Sequence, residues 1–122
     1  MFKQLIITGA ISAFVAVALG AFAAHGLKQQ LGEYELAIWQ TAVTYQMYHA
    51  LGLILIGLLS NSLSISLNIP GWLMFSGILL FSGSLYILSL TGIKALGIIT
   101  PIGGLCFLVA WLWVAISIIK VK

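Results

Sequence analysis

The chain has 122 residues, of which 62% are hydrophobic and only 6% charged, with a formal net charge of +3. A soluble domain is roughly a quarter charged and could not cover its surface with so few polar groups, so that class is excluded. The positive charge is scattered and forms no basic patch with interleaved aromatics, which argues against nucleic acid as a partner.

The charged residues are Lys3, Lys28, Glu33, Glu35, Lys94, Lys120 and Lys122, and between them lie uncharged tracts at 4–27, 36–93 and 95–119. A helix crosses the hydrocarbon core in roughly 20 residues at about 1.5 Å each. The middle tract holds two crossings with a turn between, so four spans are expected within one transmembrane domain, 1–122. Backbone polar groups in lipid must be satisfied inside the spanning element, which leaves helices or closed barrels. These tracts are apolar throughout, without alternation, so the expected fold is all-α: an integral membrane four-helix bundle.

The first span reads 5–24. A small-residue Ala21-Phe22-Ala23 follows the apolar run, as at a signal-peptide cleavage site, but the run is longer than a signal core and is expected to stay. Ser12, Ala16, Gly20 and Ala24 recur every fourth residue and predict a seam where another helix backbone can approach. The connection 25–40 interleaves His25, Lys28, Gln29, Gln30, Glu33 and Glu35 with leucines, Tyr34 and Trp39. It reads as an interfacial amphipathic segment with Tyr34 and Trp39 at headgroup depth.

The second span is expected at 41–60, followed by a polar turn region to Ile69. Pro70 suits the first turn of a third span, 71–90, because its missing N–H costs nothing there. Thr91-Gly92-Ile93-Lys94 turns the chain into a fourth span, 95–119. Pro101 either kinks that helix or marks its true start with Thr100 as the cap; the sequence leaves both open. Four spans place both termini on one side, and three lysines near the ends against two on the other side favour the cytoplasm.

Chemistry-bearing residues concentrate in the second span. Tyr45, Tyr48, His49 and Gly52 share a helical face, and a histidine within a span is a candidate functional residue. With Gln46 beside them and His25 ending the first span on the same side, a polar pocket of His25, Tyr45, Gln46, Tyr48 and His49 is expected near the non-cytoplasmic leaflet. The competing reading gives Gln46 and His49 cross-helix hydrogen bonds and the tyrosines an aromatic belt. No close ligand pair such as His-x-x-x-His exists, so no metal site is expected. Ser82 and Ser84 have no adjacent base and can bond their own helix, so no catalytic residue is assigned. Cys106 is the single cysteine, excludes an internal disulfide and reads as a small packing residue.

Four segments, Gly20-Ala21-Phe22-Ala23-Ala24-His25-Gly26-Leu27, Thr44-Tyr45-Gln46-Met47-Tyr48-His49-Ala50-Leu51, Phe81-Ser82-Gly83-Ser84-Leu85-Tyr86 and Thr100-Pro101-Ile102-Gly103-Gly104, carry a resemblance over essentially the whole chain. It resembles the YgdD/YwdK-like family of small four-helix inner-membrane proteins, domain of unknown function four-two-three. Ala23 stands where the family commonly has a second glycine. The resemblance implies a bacterial plasma-membrane protein with four helices, and no reaction, cofactor or substrate.

The expected function is a non-enzymatic bundle that binds lipid, a ligand or a membrane partner, itself included, without a cofactor. The alternative is a small oligomeric transporter or channel, weakened because no charged residue lies at mid-span.

Overall fold

A computed structural model describes residues 2–122. Helix α1 runs Phe2–His25, α2 Glu33–Leu63, α3 Asn68–Gly77, α4 Gly83–Thr91 and α5 Ile99–Ile119. A π-helical segment, Ile78–Ser82, joins α3 to α4 into one span, and a 3-10 turn at Lys94–Ile98 leads into α5. The four resulting helices, Phe2–His25, Glu33–Leu63, Asn68–Thr91 and Lys94–Ile119, are each long and apolar enough to cross a membrane. The protein is an integral membrane helical bundle, and among the described residues there is no strand.

The helices overrun the predicted spans at most ends. The 31 residues of α2 extend about 46 Å at helical rise, well beyond a core of about 30 Å. Much of the amphipathic connection is therefore the opening of α2. Glu33 and Glu35 sit in its first turn, where carboxylates complement the positive end of the helix dipole. Only 26–32 lies between the helices, with a single 3-10 turn at Leu27–Gln29. At the far end Ser64 adopts the left-handed conformation (φ 53°) that stops α2, and Ser60 Oγ donates to Ile65 O at 2.5 Å.

Helix α1 packs along α2, α2 packs against the third span, and the third span packs against α5. Small residues set these approaches. A Cβ on Gly9 would stand 2.7 Å from the Ala50 carbonyl oxygen, and one on Gly57 2.9 Å from the Phe2 carbonyl oxygen. On the other side a Cβ on Gly103 would collide with the Phe81 and Leu80 backbone. There α5 presses on the π segment, where the Gly83 N–H reaches back to Ile78 O. Leu5, Leu53, Ile56, Leu67, Met74, Ile78, Phe107 and Ala110 form the main apolar core, drawn from all four spans.

Three expectations change. The buried face of α1 is Leu5, Gly9, Ser12, Ala16 and Ala23, so Ser12 and Ala16 lie in the seam and Gly20 faces Val43, whereas Ala24 is exposed. A strict step of four drifts about 40° per step around a helix of 3.6 residues per turn, so the face shifts to Ala23 by the fourth member. Trp39 is 3% exposed and not a headgroup anchor: its Nε1–H donates to Leu19 O at 3.0 Å, and it packs with Ala23 and Leu27. Pro101 neither begins the last helix, which starts at Ile99, nor interrupts it. It lies in the first turn of α5, where N–H groups lack helical partners anyway. Thr100 does not cap; Ile98 holds that position.

Candidate functional site

The polar side chains of α2 turn to different neighbours. Gln46 and His49 are 5% and 6% exposed, and a separation of three residues turns them about 60° apart on the helix. Gln46 faces α1 and α4. Its Nε2 donates to Ser12 O at 2.9 Å, while Tyr86 Oη donates to its Oε1 at 2.6 Å. Since a carbonyl can only accept, the amide orientation is fixed by Ser12 O.

The third span continues this bonding on one face, from the end of the π segment through α4. The spacing of Ser82, Tyr86 and Ser89 is i, i+4 and i+7, which aligns them toward α2. Ser82 Oγ donates to Ala42 O and Ser89 Oγ to Glu35 O, both at 2.7 Å. Ser84 lies off that face and meets Thr100 Oγ1 of α5 at 2.6 Å. The serines went unassigned in the sequence because a short hydroxyl can always bond its own helix, and Tyr86 because a tyrosine in a span reads as an ordinary aromatic. Only their common spacing hinted otherwise.

His49 faces α5. Its Nδ1–H donates to Tyr45 O, one turn back, at 2.7 Å. The Phe107 ring lies nearly parallel to the imidazole, with centroids 3.5 Å apart and planes 9° apart. Trp111 stands 5.9 Å from the imidazole, Tyr45 6.0 Å, and Phe81 closes the cluster 4.6 Å from Tyr45. These rings line a groove of about 610 Å³ between α2, the π segment and α5, shared with Leu108. The exposed side chains of Leu105 and Leu108 show that it opens on the lipid-facing surface.

The expected five-residue pocket is not one site. His25 is exposed at the end of α1, roughly 20 Å of helix rise beyond Ser12, and Ser12 is level with Gln46. Tyr48 is 62% exposed on the outer face of α2. His49 is also deeper than expected. It lies about 24 Å from Glu33 and about 21 Å from Leu63 along α2, so it is at the middle of the bundle and not near one leaflet. The sequence placed the start of α2 too late, and the depth followed from that start. Tyr48 shares that depth and so does not belong to an interfacial belt. Phe107 and Trp111 went unnoticed because aromatic residues are ordinary in a span and only the fold brings them to His49. Among the described residues, no three His, Cys, Asp or Glu side chains converge as metal ligands.

Fold and site together define a small multi-pass helical membrane protein with a mid-depth aromatic groove. The chain belongs to the family described as "Protein of unknown function (DUF423)", matched over residues 19–104. It is 53% identical over 118 residues to a UPF0382 membrane protein of Staphylococcus epidermidis, covering 97% of each chain. It is 54% identical over 119 residues to one of Staphylococcus saprophyticus, covering 98% of this chain and 99% of the relative. To the UPF0382 membrane protein YwdK of Bacillus subtilis it is 52% identical over 120 residues, covering 97% and 98%. No solved structure matches the chain. The family expected from the four sequence segments is the family found, and none of these names states a reaction or a ligand.

Proposed function

We propose that this protein is a non-enzymatic bundle that takes an apolar molecule from the bilayer into the groove between α2 and α5. One observation carries the reading: four aromatic rings and an imidazole from three spans line a lipid-facing recess of about 610 Å³, while the opposite side of α2 is sealed by α1. A cleft of several hundred cubic ångströms, mostly apolar with few polar groups, is the usual form of a small-molecule site. Its surroundings are the lipids of the bacterial inner membrane, with both termini in the cytoplasm by the lysine distribution.

The test is photolabelling in native membranes with a membrane-partitioning alkyl diazirine. Adducts are expected to concentrate on Tyr45, Leu105 and Leu108 and to be lost in Gly104→Leu. A Cβ at Gly104 meets Phe81 only at ordinary contact distance, 3.8 Å, so the leucine fills the recess without breaking the fold. Labelling spread equally over lipid-facing residues outside the groove, such as Phe14 and Leu112, would overturn the reading. So would disulfide-linked dimers of Leu108→Cys (with Cys106→Ser), unaffected by the probe, because a second copy would then fill the groove.

A further inference from the structure

Within that groove reading, we infer that the ligand is a neutral apolar molecule bearing a hydroxyl group, a long-chain phenol or alcohol, whose hydroxyl donates to His49 Nε2.

The chemistry follows from the one hydrogen bond of His49. Tyr45 O can only accept, so in the neutral ring Nδ1 carries the proton and Nε2 keeps a bare lone pair. Nε2 bonds to none of the described residues. Among them no fully enclosed side-chain nitrogen lacks a partner, so Nε2 keeps some open surface, and His49 is a residue of the groove wall. A residue 94% removed from its surroundings, with an unused acceptor in an apolar recess, selects a donor. The Tyr45 hydroxyl also bonds to none of the described residues and belongs to the same wall, which leaves a second polar group for the same ligand.

Depth narrows the class. His49 lies near the middle of α2, about 24 Å from Glu33 and about 21 Å from Leu63, so a core of about 30 Å centred on the bundle puts it about 15 Å from either surface. A phospholipid headgroup is held at the interface by its charge and hydration and does not reach this level. A charged amine or carboxylate would be costly there. A single hydroxyl on an apolar body loses little hydration and regains it in one hydrogen bond. The flat stack of His49 on Phe107, edged by Trp111 and Phe81, favours a ring next to that hydroxyl.

The experiment uses the full chain in phospholipid nanodiscs and two probes, para-nonylphenol and its methyl ether, para-nonylanisole. His25→Gln leaves His49 as the sole histidine, so heteronuclear NMR reads one imidazole. The Nε2 resonance is expected to move saturably with the phenol, and the phenol to bind about fivefold more tightly than the ether, the worth of one hydrogen bond. His49→Phe keeps the stack on Phe107 and is expected to make the two probes equal, read on the Trp111 indole resonance. Equal binding of both probes to the unaltered protein, or a phenol preference that survives His49→Phe, overturns the hydroxyl assignment and leaves groove binding intact. If neither probe perturbs Trp111 or His49, groove binding itself fails along with the assignment.

Discussion

Tyr86 donates its hydroxyl to Gln46 Oε1 at 2.6 Å, and Gln46 passes the chain of bonds to Ser12 O at 2.9 Å. Three spans are thereby tied at one depth by a single amide. In hydrocarbon no water substitutes for a lost partner, although the unfolded state in a membrane finds partners of its own. Tyr86→Phe is therefore expected to destabilise by about 1 kcal/mol, and Gln46→Leu by a similar amount. A double-mutant cycle in mixed-micelle unfolding checks the pair: the double variant should lose clearly less than the sum of the singles. Strict additivity would mean that the bond contributes nothing.

Gly9 and Gly83 make opposite predictions for the same substitution. A methyl at Gly9 meets the Ala50 carbonyl oxygen at 2.7 Å and Ile54 N at 3.0 Å. Backbone cannot swing aside, so α1 must move off α2, at about 1–3 kcal/mol. A methyl at Gly83 meets nothing within 4 Å, so Gly83→Ala should change stability by no more than about 0.5 kcal/mol. Thermal unfolding in detergent distinguishes the two directly.

Ser64 holds a left-handed backbone, with φ 53° and ψ 42°, at the end of α2. Glycine reaches that region without the Cβ penalty that other residues carry. Ser64→Gly is expected to stabilise by up to about 1 kcal/mol, while Ser64→Val should destabilise because a β-branched residue resists positive φ. The midpoints of thermal unfolding should fall in the order glycine, serine, valine.

Trp39 is the hinge of the second apolar cluster, edge-on to Tyr86 at 4.7 Å. Trp39→Phe retains an aromatic ring and removes the donor to Leu19 O. A loss of about 1 kcal/mol is expected, combining a smaller ring with a missing hydrogen bond. Trp39 should also be the tryptophan least accessible to a lipid-borne fluorescence quencher, compared with the lipid-facing Trp72, Trp111 and Trp113. Equal quenching at all four would contradict its burial.

Four membrane helices, and roughly where they lie, are legible from the spacing of the charges. A charge in hydrocarbon is costly wherever it falls along the chain, so the gaps between Lys28, Glu35, Lys94 and Lys120 report spans without any knowledge of neighbours. The sequence also marked Gln46 and His49 as unusual, because polar groups in a span stand out on their own. Which way each one points depends on how the spans pack. Gln46 turns to Ser12 and Tyr86, and His49 to Phe107, residues 34, 40 and 58 positions away in the chain. The same holds for Ala23 in place of Ala24, for Trp39 in the core and for His25 standing apart. A helical period fixes which residues share a face; the partner of that face depends on how close glycines such as Gly9 and Gly103 let another backbone come.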